Sequence, residues 1–452
     1  MTTAASETKR RELHDEARRI FHHALRASSI PAAFDHRLRF EGQSLFLSSI
    51  AGDDAVCIPL AQYDRIHAVA LGKAALPMLE TLRARLPNVL AGGVCCAPSL
   101  PVERDPGVDY YAGGHPLPSQ DSFASACAAL QLLRGTSARD FVFFLISGGG
   151  SAMFELPLDP HISLDETRTL YQALVGSGAT IAEINTVRKH FSAVKGGRLA
   201  AAAPLAARFS LLVSDVAPRY LDALASGPTL PDSSTVAECR EIIHRYRLAE
   251  RFPPDVRAFF DDPNLPETPA LTGAAAETLL SSDDLIGAAR EMALALGYEV
   301  IMDTSCDDWD YGDASRYLLD RFYRLRREHP RLCLLSGGEV TVRLGHEHGA
   351  GGRNQQFALA CALELGGHDS AAVPTQPIVV LSAGSDGIDG NSDAAGAIAD
   401  ATTVVRSQAL GIDPASALAR FDAYPLFTAL GDTLVTGPTD NNLRDLRILL
   451  TA

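Results

Sequence analysis

The chain has 452 residues, 46% of them apolar and 21% charged, with 40 Lys and Arg against 55 Asp and Glu, a formal net charge of −15. This balance excludes disorder, collagen and coiled coil as overall descriptions, and it argues against a general nucleic-acid or anionic-membrane binder. No apolar run reaches the roughly 18 residues of a membrane span. The opening MTTAASETKRRELHDEARRIFHHAL is charged throughout and lacks the apolar core of a signal peptide. Eight cysteines with no C-x-x-C pair read as reduced thiols of a soluble cytoplasmic protein.

An amphipathic helix opens the chain. Apolar runs then alternate with helical patterns: IHAVALG (66–72), a helix from Lys73, AGGVCCAP (91–98), a helix around 120–134, FVFFLIS (141–147), a helical stretch ending VRKHFSAVKGGRLAAAA, and FSLLVSD (209–215). Continuous apolar strands between helices predict a parallel sheet covered on both faces. Prolines at 228, 231, 253, 254, 263, 266 and 269 mark an interdomain excursion. A second βα-type series follows, with a helix over 283–297, the strand YEVIM, a helix over 313–328, the strands RLCLLSGG and EVTVRLG, a helix from Asn354, and PIVVLSAGSDG (377–387). The expectation is two α/β lobes, 10–280 and 281–452, whose last segment could pack back on the first lobe.

Ligands of open α/β sheets bind beyond the carboxyl ends of the strands. Five predicted strands run into polar sequence there: ALGKAA (70–75), ISGGGSAM (146–153), VSDVAP (213–218), LSGGEVTV (335–342) and SAGSDGIDGNSDAAGA (382–397). In SGGGS the glycines Gly148, Gly149 and Gly150 let backbone N–H groups approach an anion, and Ser147 and Ser151 add hydroxyls; a plain tight turn is the other reading. Lys73 and Arg353 are cations at the starts of helices, where the dipole disfavours them unless an anion faces them. Asp215, Asp386, Asp389 and Glu339 are carboxylates at strand ends, able to hold Mg²⁺ or accept a proton, or else simply to form turns. Asn185, Arg188, Lys189 and Lys195 share the INTVRKHFSAVKGGRLA stretch, where Asn185, Arg188 and Lys189 could line one helix face. His346, Glu347 and His348 are adjacent and so converge poorly on a metal. There is no Walker A, no G-x-G-x-x-G, no G-x-S-x-G and no zinc motif.

Ten segments in fixed order (ALGKAA, GGHPLPS, ISGGGSA, INTVRKHFSAVKGGRLA, SDV, SGPT, LSGGEVTV, GAGGRNQQFALA, SAGSDGIDGNSDAAGA and TGPTDNN) span about 70 to 442. In this series the chain resembles the glycerate 2-kinases that join an N-terminal Rossmann-like domain to a C-terminal MOFRL α/β domain. The resemblance implies transfer of the γ-phosphoryl of ATP to the C2 hydroxyl of D-glycerate, with Mg²⁺ or another divalent cation, in a cleft between the lobes whose closure excludes water. It implies Lys73, Arg353 and Asp215 as catalytic residues, and Asp386 as the metal ligand. Ser147, Gly148, Gly149, Gly150, Ser151, Asn185, Lys189, Glu339 and Asn354 would bind phosphate or nucleotide. The roles of Asp215 and Asp386 are interchangeable on sequence alone. The chain departs from the family pattern at Ser385, Asn391 and Ser392, at Gln356, where a carboxylate is missing, and at Asp440 and Asn441. The expected partners are D-glycerate and ATP, with no nucleic acid or membrane, in a monomer or homodimer. An NAD(P)H-dependent hydroxypyruvate reductase and a non-catalytic sugar-acid or nucleotide binder are the rival readings.

Overall fold

The computed structural model describes residues 3–42, 44–47, 57–87, 89–216, 218–271, 275–345, 348–368, 376–439 and 441–452. The chain forms two compact units, Ile30–Leu280 and a second made of Met1–Ser29 with Ser281–Ala452.

In the unit Ile30–Leu280, strands β1 (Leu38–Glu41), β2 (Ser44–Leu47) and β3 (Cys57–Pro59) form a small antiparallel sheet. The main sheet comprises β4 (Arg65–Leu71), β5 (Leu90–Ala97), β6 (Val108–Ala112), β7 (Asp140–Ser147), β8 (Ala207–Val213) and β9 (Ala275–Leu280). All its pairings are parallel, in the order β6-β5-β4-β7-β8-β9. Counted from β4 this is 3-2-1-4-5-6, the doubly wound order, whose direction of winding reverses between β4 and β7. Every residue of β7 is buried, which is why DFVFFLIS reads as a continuous apolar run. The proline-rich stretch is no linker. It carries the helices Val236–Arg245 and Pro254–Asp261 and leads into the edge strand β9. Its Phe252 and Phe260 join Phe191 and Leu170 in one apolar cluster, and Pro254 opens its helix at a position where no N–H is needed.

The second unit holds β10 (Glu299–Met302), β11 (Leu332–Gly337), β12 (Ile378–Gly384), β13 (Gly396–Asp400), β14 (Thr433–Leu434) and β15 (Asp445–Thr451), in the order β10-β11-β15-β12-β13-β14. Only β10 and β11 pair in parallel among the described residues; β15 lies antiparallel between β11 and β12. The second sheet is therefore mixed, within the expected α/β class. A strand buried on both faces is apolar throughout whichever way it runs, so its sequence does not report direction. The expected strand EVTVRLG is also absent, with Thr341 making only an isolated bridge to Asp310.

The opening helix, Thr3–Ala27, buries Leu13, Ala17, Ile20, Phe21 and Ala24 completely against the helix Ser282–Ala295, β12 and β15. Arg10 and His14 meet the buried Asp400 at 2.9 and 2.7 Å. This helix thus joins the second unit rather than the lobe that follows it in sequence. The last segment, in turn, stays in the second sheet as β15.

Candidate functional site

The loops after β4 and β7 meet at the point where the winding reverses. Lys73 lies in the bend before the helix Ala75–Arg85, and its N–H donates to the Gly148 carbonyl at 2.8 Å. The Ala74 N–H donates to Ser147 Oγ at 2.9 Å, and that hydroxyl donates on to Leu71 O at 3.3 Å. These bonds stitch the two strand ends together. Asp215 follows β8, and a side-chain carbon at Gly148 would overlap its carboxylate. Gly149, at φ +80°, brings the next peptide beside Lys73 and His115; a Cβ there would lie 3.1 Å from Lys73 Cγ and 3.5 Å from His115 Cδ2. Lys73, His115, Asp215 and the glycine loop are thereby gathered. Among the described residues the Lys73 ammonium has no hydrogen-bond or ion-pair partner. Burial, and then the charges of Lys73 and Arg188, hold His115 below the ordinary imidazole range.

Polar groups behind this loop are tied to one another. Tyr171 reaches the Ser151 carbonyl at 2.7 Å and the Glu155 carboxylate, and Lys195 meets Glu155 at 2.9 Å and the Phe154 carbonyl at 3.0 Å. The helix Ile181–Phe191 begins at a capping box, Thr180 with Glu183, which sets the phase that buries Asn185, Arg188 and Lys189. Asn185 accepts from Ser226 at 3.0 Å, and Ser226 in turn lies 2.9 Å from Ser151. Lys189 bonds Asp222 and Asp232, each at 3.0 Å. Asn185, Ser151 and Lys189, expected to hold phosphate, thus engage partners inside the protein.

In the second unit a cavity of about 510 Å³ is lined by Gly351, Arg353, Asp386, Asp389, Asn391 and Phe421, among others. Arg353 opens the helix Arg353–His368 and is gripped by Asp445 at 2.6 and 3.0 Å and by Glu339 at 2.8 Å. Burial opposes its charge, but Asp445 and Glu339 outweigh burial and the net direction is upward. Glu339, expected to bind phosphate, presents its carboxylate to this guanidinium. Asp389 accepts the N–H groups of Asn354 at 3.0 Å and Gln355 at 2.8 Å, yet burial pushes its carboxyl up to about 6. Asn354 is buried and accepts from Ser382 at 2.6 Å. Asp386 lies on the cavity wall and accepts from the Ile388 N–H at 3.2 Å. Gln356 donates to the Leu418 carbonyl at 2.6 Å. No group of three or more His, Cys, Asp or Glu able to hold a metal occurs among the described residues. His346, Glu347 and Asp440 lie outside them.

Chemically, the first cluster offers an ammonium beside a glycine loop, a fit for an anion. The second offers a guanidinium held in a fixed orientation by two carboxylates. Sequence reasoning did not single out His115, Tyr171 or Asp445. The signal for Asp445 was a carboxylate at the start of the apolar run of β15. His115 stood in a quoted segment with nothing else to mark it.

The DUF4147 family, described as a domain of unknown function, matches residues 16–261, and the MOFRL family matches residues 332–445. The chain is 36% identical over 398 residues to the D-glycerate 2-kinase of Thermotoga maritima, covering 86% of this chain and 92% of that one. It is 32% identical over 446 residues to the glycerate kinase of Bos taurus, at 85% and 84% coverage. The crystal structure of a Thermotoga maritima glycerate kinase matches with a TM-score of 0.84 and 31% identity, over 98% of this chain and all of that one. With both domains matched in order and relatives this similar along nearly their whole length, the chain belongs to the two-domain glycerate 2-kinase family that joins a DUF4147 domain to a MOFRL domain.

Proposed function

We propose that the protein transfers the γ-phosphoryl group of ATP to the C2 hydroxyl of D-glycerate, giving 2-phosphoglycerate and ADP. The observation that carries this reading is the ammonium of Lys73, unpartnered among the described residues, beside the glycine loop at the winding reversal of a 3-2-1-4-5-6 sheet. Phosphoryl transfer is chiefly a problem of positioning and of neutralising charge on the transferred group. In this reading the backbone of Ser147–Ser151 holds phosphate oxygens, and Lys73 neutralises the transferred group. Asp215 orients the acceptor hydroxyl and takes its proton as the bond to phosphorus forms and ADP departs. Arg353, kept in place by Asp445 and Glu339, is assigned as a second cation for the reaction. Asp386 is assigned to magnesium. A carboxylate is the hard oxygen donor this ion takes, and one or two of them together with substrate phosphates suffice. When bound, the ion supplies further neutralisation of phosphate charge.

Eight unpaired cysteines fit a reducing compartment, and we place the protein in the cytoplasm. Among the described residues no helix is long and apolar enough to cross a membrane.

Incubation with D-glycerate, ATP and Mg²⁺ should yield 2-phosphoglycerate, distinguished from the 3-isomer by phosphorus NMR. Formation of the 3-isomer alone would refute the regiochemistry. Oxidation of NADH by hydroxypyruvate without ATP would instead support the reductase reading.

A further inference from the structure

We propose that Arg188 binds the carboxylate of the hydroxy-acid acceptor, an inference that rests on the kinase reading above. Arg188 is 8% exposed, and its Nε is buried with no partner. Among the described residues it forms no ion pair. The nearby carboxylate Glu155 is already held by Lys195 and Tyr171. A desolvated cation without a counter-ion is costly, and proteins rarely keep one unless a ligand completes it.

Its position says where that ligand sits. The guanidinium lies over the Tyr171 ring, 4.4 Å from the centroid, and the Tyr171 hydroxyl holds the Ser151 carbonyl at the end of the glycine loop. Its charge also acts on His115, which flanks Gly149 together with Lys73. Arg188 therefore faces the neighbourhood in which the phosphoryl group would be transferred.

Its chemistry favours a carboxylate over the nucleotide. A guanidinium clamped on an aromatic face presents a planar fork, which matches the two oxygens of a carboxylate. The nucleotide phosphates already have the loop N–H groups and the flexible Lys73. His115, shifted toward its neutral form, can exchange hydrogen bonds with acceptor hydroxyls without adding charge.

The test compares the wild type with Arg188→Ala and Arg188→Lys in steady-state kinetics, using D-glycerate and glycerol as acceptors. Arg188→Ala should raise KM for D-glycerate on the order of 100-fold. KM for ATP should stay within about threefold, as expected when the lost contact is not to the nucleotide. The preference for glycerate over glycerol should collapse. Arg188→Lys should recover little, because an ammonium offers neither fork nor stack, whereas added guanidinium ion should partly rescue the alanine variant. An ADP-induced thermal shift equal to that of the wild type certifies that each variant is folded. An unchanged KM for glycerate in such a variant, or an equal rise in KM for ATP, would overturn the assignment while leaving the kinase reading standing. A wild type that makes no phosphoglycerate overturns the kinase reading and this one with it.

Discussion

Lys73 and Arg353 are both cations at helix starts, yet their surroundings are opposite. Lys73 has no partner among the described residues, whereas Arg353 sits between Asp445 and Glu339. The Lys73→Ala variant should therefore keep its stability within about 0.5 kcal/mol while kcat/KM falls by at least about 100-fold. Arg353→Ala removes the partner of a fully buried carboxylate, Asp445, and should cost about 3–5 kcal/mol, read by urea denaturation. Equal stabilities for the two variants would contradict this account. Asp389 adds a pH dependence. Its folded-state value of about 6 lies above the ordinary 3.8, because burial, with Asp445 nearby, outweighs the two N–H bonds and Arg353. Between about pH 4 and 6 the folded chain holds a proton that the unfolded chain has lost. Stability from this group is full below about pH 4, and roughly 3 kcal/mol of it is lost as pH rises through 6. In EDTA, the Asp389→Asn variant should flatten that part of the pH profile of the urea midpoint. At this scale the sequence was legible wherever a residue broke a pattern. Lys73 and Arg353 stood out as cations at helix starts. Arg188 did not, because a charge beside Lys189 on a helix looks like a solvated face, and only burial distinguishes the two.

The loops that follow β7 and β8 touch directly, since Gly148 leaves the space that the Asp215 carboxylate occupies. A methyl group at Gly148 should push that carboxylate aside while leaving the strands alone, the obstructed atoms being the mobile end of a side chain. Gly148→Ala should thus reduce kcat about as much as Asp215→Ala does. The double variant should be little worse than either, a non-additivity measurable in a kinetic cycle. Independent, multiplying losses would show that the two positions act separately. Elements were legible in proportion to their burial on both faces. FVFFLIS and IHAVALG announced β7 and β4 without ambiguity, and the helix Gln120–Arg134 matched its expected span. The edge strand β9, with two exposed residues at its start, gave no such signal. EVTVRLG alternates as a strand should, but its Val342 and Leu344 line the cavity instead of pairing. Periodicity reports which faces are buried, and not what lies against them.

The division of the whole chain is discontinuous. Ile30–Leu280 is an insertion between the opening helix and its partners, and its first helix, Ile30–Arg37, packs against its last strand, β9, so entry and exit lie together. A fragment spanning 30–280 should fold alone and unfold cooperatively, as judged by circular dichroism in urea. A fragment spanning 1–280, cut where sequence reasoning put the border, carries the apolar face of Thr3–Ala27 without its partners and should aggregate in size-exclusion chromatography. Equal behaviour of the two fragments would contradict the assignment of that helix. The texture of the sequence changes near 280, whereas an amphipathic helix carries no label for the sheet it covers, so the division at Ser29 leaves no such mark.

This discontinuity also sets an order of events during synthesis. The opening helix leaves the ribosome before the inserted unit, but β12 and β15, which cover it, are made after that unit. At roughly 5–20 residues per second, the 250 or so inserted residues alone take about 12–50 seconds. Through that interval the nascent chain carries Leu13, Ile20 and Phe21 uncovered, next to a unit already able to fold. The second unit therefore depends on chain made after the insertion, and its opening helix is the natural place for a chaperone to hold.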